Sequence, residues 1–266
     1  GVVCAVGADV DGIAVGDAVC TIPAFDVKRN GVYGDWCVVP AEGVVPLPKG
    51  LSQREGAAIW QQYLTAYGPL ILYGDVGRDD RVLITAGASS VGLGAIQMAK
   101  ARGAMVIATS RTAAKADIMR RAGADHVIIT SEVELSPEVM RMTQDAGFTL
   151  CLDPIAGPGV GDLLACAGRG ARVFLYGQLD SQPAPLPLLD LLRKGVAIQG
   201  YTLWEITLNP DHRARAVADI AGLIEAGALS PVIDREFDLA DIVEAHRYLD
   251  SGQQAGKLLV RASGAA

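Results

Sequence analysis

The stretch that decides the fold is Arg81-Val82-Leu83-Ile84-Thr85-Ala86-Gly87-Ala88-Ser89-Ser90-Val91-Gly92. An apolar run, Arg81 to Ala86, ends in a Gly/Ser turn, and Val91 to Arg102 then reads as a helix with few breakers. A strand, a glycine turn and a helix in that order aim backbone N–H groups from a helix start at whatever sits above the turn. This is how a dinucleotide pyrophosphate is held. The competing reading is a tight structural turn with no ligand. A nucleophile elbow on Ser89 is excluded, because Val91 stands where G-x-S-x-G needs its second glycine.

Outward from this unit the rhythm continues. Ala104 to Thr109 reads as a second strand, Lys115 to Ala122 as a helix closed by Gly123, and His126 to Ile129 as a third strand. Phe148 to Leu152, Ala171 to Tyr176 and Val196 to Gln199 are the fourth, fifth and sixth. Short runs that are apolar on both faces and alternate with helices predict an α/β fold, a doubly wound parallel sheet of the Rossmann type. The flanks differ. Gly1 to Val6, Cys37 to Val39 and Val44-Val45 are Val-rich runs broken by Gly, Asp and Pro, which predicts a small antiparallel β region. Arg213 to Ala226 and Phe237 to Ser251 read as helices and Lys257 to Val260 as a final strand. The expected domains are 63–205 for the dinucleotide-binding unit, inserted in a second domain made of 1–62 and 206–266.

The residues after the second strand bear on which dinucleotide would bind. A free ribose 2′-hydroxyl wants Asp or Glu there. This chain has Thr109-Ser110-Arg111-Thr112, with Lys115 next and no carboxylate before Asp117. A cationic, hydroxyl-rich pocket suits a 2′-phosphate, which predicts NADP(H); the alternative is that Arg111 and Lys115 are ordinary surface charges.

Composition narrows the function classes. Of 266 residues, 50% are hydrophobic and 20% charged, and 23 Lys and Arg stand against 30 Asp and Glu for a net charge of −7. With no basic run to follow a phosphate backbone, nucleic acid is not an expected partner. No unbroken apolar stretch approaches the ~18 residues of a membrane span, so no membrane partner is expected. No secretory leader is legible, and the five cysteines are scattered without a C-x-x-C pair, which predicts a reducing cytoplasm rather than a disulfide scaffold.

The chain resembles the zinc-independent, quinone-oxidoreductase-like branch of the medium-chain dehydrogenase/reductase superfamily along essentially its whole length. The resemblance rests on Val15-Gly16-Asp17-Ala18-Val19, Gly31 to Pro40, Leu64-Thr65-Ala66-Tyr67 and the glycine turn. It also rests on Ala122 to Ile128, Tyr176-Gly177 and Gly256-Lys257-Leu258-Leu259-Val260. It implies a Rossmann domain inserted in a GroES-like β domain, and commonly a homodimer. It implies Thr65 and Gly177 near the nicotinamide and Gly87, Ser89, Ser90, Val91 and Gly92 around the pyrophosphate. Ser110, Arg111 and Lys115 would hold the adenosine end, Lys257 would sit near the cofactor, and Asp153 is a weaker candidate. In the family a further stretch of the catalytic domain precedes the segment matching Gly1 to Gly7. The chain is therefore expected to be a fragment or a truncated form, with part of the active site unread.

Two departures count against zinc. Gln61 stands about where zinc-dependent members place a cysteine, and an amide is a poor zinc ligand. The four close cysteines of a structural zinc lobe are absent too, so no metal is expected. Hydride transfer without a metal suits acceptors whose conjugation spreads the developing charge, namely quinones and α,β-unsaturated carbonyls. Tyr63, Tyr67 and Gln61 are the candidate groups beside the acceptor, with Gln62 a further amide. The competing role for the tyrosines is packing. His126, His212 and His246 are expected to be structural, Asp35 and Glu55 solvated, and Cys20 and Cys37 small buried hydrophobes. Two rival functions stay open: an alcohol or aldehyde dehydrogenase of the same fold, and a cofactor-binding remnant without catalysis.

Overall fold

The structure is a computed structural model that describes residues 1–262. By internal contacts the chain divides into two compact units, residues 65–202 and residues 1–64 with 203–266.

In the discontinuous unit, β1 (Val19–Thr21) pairs antiparallel with β2 (Val44–Pro46), and Val2 bridges Ala18 in the same sense. The helix α1 (Gln53–Gly56) starts in a capping box. The Glu55 carboxylate accepts from the backbone N–H and hydroxyl of Ser52, whose Oγ accepts from the Glu55 N–H. Those bonds hold the Glu55 carboxyl below its ordinary range, so Glu55 is a cap and not merely a solvated charge. The helix α2 (Trp60–Tyr67) leads across the unit boundary into a π-helical turn, Gly68–Leu72.

The continuous unit is one six-stranded sheet. Its strands are β3 (Arg81–Ile84), β4 (Met105–Ser110), β5 (His126–Ile129), β6 (Phe148–Asp153), β7 (Ala167–Leu175) and β8 (Ala197–Gly200). They lie in the order β5-β4-β3-β6-β7-β8, and every pairing is parallel. This is the doubly wound order of a Rossmann sheet. The helices between them are α3 (Ser90–Ala101), α4 (Ala116–Arg121), α5 (Leu135–Met142), α6 (Val160–Cys166) and α7 (Leu188–Lys194). Leu83, Ile107, Phe148, Cys151 and Val173 from the strands pack with Val139, Leu163 and Leu164 from α5 and α6 in one core. Strands buried on both faces need no polar alternation, which is why they read as plain apolar runs.

Back in the first unit follow α8 (Trp204–Thr207), α9 (Pro210–Glu225), β9 (Ile233–Asp238), α10 (Ile242–Asp250) and β10 (Lys257–Arg261). The helix α9 opens on Asn209, whose side chain accepts from the Asp211 and His212 N–H groups. Strands β9 and β10 pair parallel.

Three sequence expectations need correction. Phe237 does not begin a helix; it lies in β9, and the helix starts only at Ile242. The cause is a period of two in Ile233-Asp234-Arg235-Glu236-Phe237-Asp238. The Arg235 guanidinium lies 4.1 Å from the Tyr248 ring centroid, and the Phe237 ring lies 6.0 Å from it. Cys37 to Val39 is not a strand, and Val38 is 86% exposed. Cys37 is exposed rather than buried, whereas Cys20 is buried.

Candidate dinucleotide-binding site

The strand β3 ends at the turn Thr85–Ser89. Ala86 takes a left-handed φ of 47°, and Gly87 donates to Thr109 O of β4 at 2.8 Å, which lashes the turn to the neighbouring strand. A Cβ at Gly87 would sit 2.8 Å from Met119 Sδ and 2.9 Å from Ala108 Cβ. One at Gly92 would sit 2.6 Å from Ala86 O and 2.7 Å from Gly87 Cα, so α3 approaches the turn along bare backbone. Ser89 is the N-cap of α3, and its hydroxyl accepts from Gly92 N–H at 3.0 Å. Leu93 N–H goes to Ser89 O at 2.9 Å. Among the described residues the Ser90 and Val91 N–H groups are left without an acceptor. Two outward donors at the positive end of a twelve-residue helix fit a pyrophosphate.

At the end of β4, Ser110 is buried, and its hydroxyl bridges the Thr112 N–H and C=O at 3.2 and 3.1 Å. It is therefore first of all a turn former. Arg111 is exposed, and its guanidinium has no partner among the described residues. Lys115 is half-buried at the start of α4. Asp117, the nearest carboxylate in sequence, is held by Arg120 at 2.9 Å. On the other side of the switch point, a Cβ at Gly177 would lie 2.8 Å from Pro154 O. The segment after β7 thus runs against the loop after β6, joined by Leu179 N–H to Pro154 O at 3.0 Å and Asp180 N–H to Ile155 O at 2.9 Å. The structure brings Gly87, Ser89, Ser90, Val91, Gly92, Ser110, Arg111, Lys115 and Gly177 to the carboxyl edge of one sheet, where such sheets bind ligands.

The remaining candidates lie on other elements. On α2, Tyr63, Tyr67 and Thr65 are buried, and Gln61 is the exposed member of the proposed group. Burial pushes the Tyr63 phenol well above its ordinary range, which suits packing more than proton transfer. Gln62 is buried, and its Oε1 has no partner among the described residues. Lys257 follows Gly256 on β10, half-buried, and burial depresses its ammonium. His126 starts β5, His212 Nδ1 lies 3.2 Å from Glu205 O, and His246 meets the Tyr33 ring edge-on.

Three residues receive more of the site than their sequence signal suggested. Asp153 ends β6, 2% exposed. Its carboxylate accepts from the Thr85 hydroxyl and, at 2.6 Å, from Ala156 N–H. The Tyr176 hydroxyl is buried beside Ser89, at a geometry too poor for a full hydrogen bond. Burial raises both the Asp153 carboxyl and the Tyr176 phenol. The legible signal was a polar residue closing an apolar strand, at Thr85 and at Asp153. Among the described residues no three His, Cys, Asp or Glu side chains gather into a metal donor set, and no helix is long and apolar enough to cross a membrane.

A family model described as zinc-binding dehydrogenase matches residues 90–220. Over 261 residues the chain is 28% identical to a phenolphthiocerol/phthiocerol polyketide synthase protein of Mycobacterium tuberculosis, covering 98% of this chain but only 12% of that much longer relative. It is 29% identical to the quinone oxidoreductase of Homo sapiens, covering 98% of this chain and 77% of the relative. Among solved structures, the Escherichia coli quinone oxidoreductase complexed with NADPH superposes with a TM-score of 0.86 at 26% identity, covering 98% of this chain and 80% of that one.

Proposed function

The chain belongs to the medium-chain dehydrogenase/reductase superfamily, in its quinone-oxidoreductase-like branch, and from that premise we propose that it reduces a quinone or an α,β-unsaturated carbonyl with NADPH and without zinc. One observation carries the cofactor choice. Among the described residues Arg111 stands unpaired at the end of β4, while the nearest carboxylate in sequence, Asp117, is taken by Arg120. A guanidinium matches a 2′-phosphate bidentately, and a ribose 2′-hydroxyl would have called for a free carboxylate. The Escherichia coli quinone oxidoreductase complexed with NADPH supports the cofactor, and the human quinone oxidoreductase supports the acceptor class.

The residues fit the group. The Ser90 and Val91 N–H groups hold the pyrophosphate on the positive end of α3, and bare backbone at Gly87 and Gly92 keeps that approach open. Arg111 fixes the adenosine end, with Ser110 shaping its turn and Lys115 adding charge. Gly177 keeps the segment after β7 low beside Pro154. When bound, NADPH supplies hydride to a conjugated carbon of the acceptor, which also takes one proton, leaving NADP⁺. In such an acceptor conjugation carries the charge that builds on its oxygen, which is how the reaction would run without a metal. Of the three residues proposed beside the acceptor, Gln61 is the exposed one, and its amide can donate to a carbonyl.

Oxidation of NADPH followed by absorbance across quinones, enones and aldehydes tests the reading. Turnover is expected with the first two. Turnover confined to aldehydes or alcohols would refute the acceptor class, and tight NADPH binding with no turnover would make the chain a binding remnant.

We further read the chain as a homodimer. Among the described residues the sheet's edge strand β8 has no strand paired on its outer side, and α7 just before it exposes Leu188, Leu189 and Leu192. An antiparallel pairing of two such edges about a twofold axis would cover both. A monomer by sedimentation would refute this. The free thiols of all five cysteines favour the cytoplasm.

A further inference from the structure

The geometry points to Asp153 as a positioning residue: it ties together the ends of the two strands that flank the switch point and so holds the loop that floors the nicotinamide half of the site. This inference rests on the reading that NADPH binds at this edge.

Strands β3 and β6 are neighbours, with Ile84 opposite Leu152. Beyond that pair, the Thr85 N–H reaches Leu152 O at 3.1 Å, and the next link is made by side chains, from the Thr85 hydroxyl to one Asp153 oxygen. The other oxygen takes the Ala156 N–H at 2.6 Å. Ala156 has φ 58° and ψ −137°, a backbone conformation that a residue with a Cβ adopts only when its surroundings insist. The Asp153 carboxylate supplies the hydrogen bond made to Ala156 itself. The loop it fixes then receives the Leu179 and Asp180 N–H groups and packs against Gly177. In a doubly wound sheet the adenosine half of a dinucleotide lies over the strands on the β4 side of the switch point, and the nicotinamide half over the β6 and β7 side. Asp153 thus serves one half of the ligand and not the other. A carboxylate 2% exposed is costly to bury, and here both its bonds go to the two elements that must be aligned.

The experiment measures binding of NADPH and of adenosine 2′,5′-bisphosphate, which lacks the nicotinamide half, to the full chain and to Asp153→Ala and Asp153→Asn. The alanine variant is expected to weaken NADPH about tenfold and to leave the bisphosphate within about twofold. The asparagine variant should stay within about threefold of native for both. Its amide oxygen can accept from Ala156, and its NH₂ can donate to Thr85 Oγ, whose own hydrogen can turn to Leu152 O, now 3.4 Å away. NADPH binding unchanged in the alanine variant, or equal loss of both ligands, overturns the inference. So does an asparagine variant as weak as alanine, because the charge would then be what matters. If the alanine variant does not fold, Thr85→Val is read by the same split, and its absence overturns the inference. A native chain that binds the bisphosphate but not NADPH, or neither, fails the functional reading itself and takes the inference with it.

Discussion

Replacing Arg111 with alanine should weaken NADPH binding about 10- to 50-fold and leave NADH within about twofold. The side chain is exposed and has no partner among the described residues, so its removal breaks no bond within the protein. Folding and melting temperature should not move. What is lost is a charge-assisted pair with the 2′-phosphate, worth ~1.5–3 kcal/mol, and exposure to solvent favours the lower half of that range. At ~1.4 kcal/mol per factor of ten, that gives the stated ratio. Because the pair is open to solvent, the gap between native and variant should also narrow as salt is raised. The assay is a fluorescence titration of both nucleotides against both proteins at two ionic strengths. Equal losses for NADPH and NADH, or no loss of NADPH, would refute the assignment of Arg111 to the 2′-phosphate.

Other substitutions read other parts of the structure. Gly92→Ala puts a methyl 2.6 Å from Ala86 O and 2.7 Å from Gly87 Cα, so it should cost ~1–3 kcal/mol and abolish NADPH binding; native-like binding would refute the close approach. Ala156→Gly should relieve ~1–3 kcal/mol of backbone strain against ~0.4–1 kcal/mol of added unfolded-state entropy, a net gain visible as a higher melting temperature. A lower one would count against strain at that position. Lys257→Met should stabilise the chain at neutral pH. Burial lowers the folded pKa of Lys257 below its unfolded value, so between the two the unfolded chain binds a proton that the folded chain has shed, and stability rises with pH. Below both, the penalty is whole. The gain from Met should therefore be largest there and shrink as pH climbs past the ordinary lysine value, as read by urea denaturation; a gain that grows with pH would refute it.

The sheet was legible because burial on both faces leaves a strand no reason to alternate, and all six runs lie within observed strands or within two residues of them. The glycine turn was legible because only bare backbone lets α3 come so close. The strand β9 was not. Its exposed face is Asp234, Glu236 and Asp238, and its other face counts an arginine stem among its packing groups, so charge hid the alternation. Cys37 to Val39 misled in the opposite way, since β-forming residues without a paired neighbour strand do not make a strand. Tyr63 and Tyr67 show the limit for the site. A helix periodicity tells which residues share a face, and here the structure buries both phenols. The Asp153–Thr85 link joins positions 68 residues apart, which no local spacing reveals.

That separation bears on how the molecule comes together in time. The β3–β4 and β6–β7 pairs each join strands close in the chain, whereas β3 meets β6 only after a long intervening loop has closed. Closing long loops is the slow part of building a parallel sheet. The two half-sheets can therefore form before they meet, and the binding edge, which straddles their junction, is among the last features to mature. A chain caught early in refolding would carry much of its secondary structure and still be unable to grip a dinucleotide.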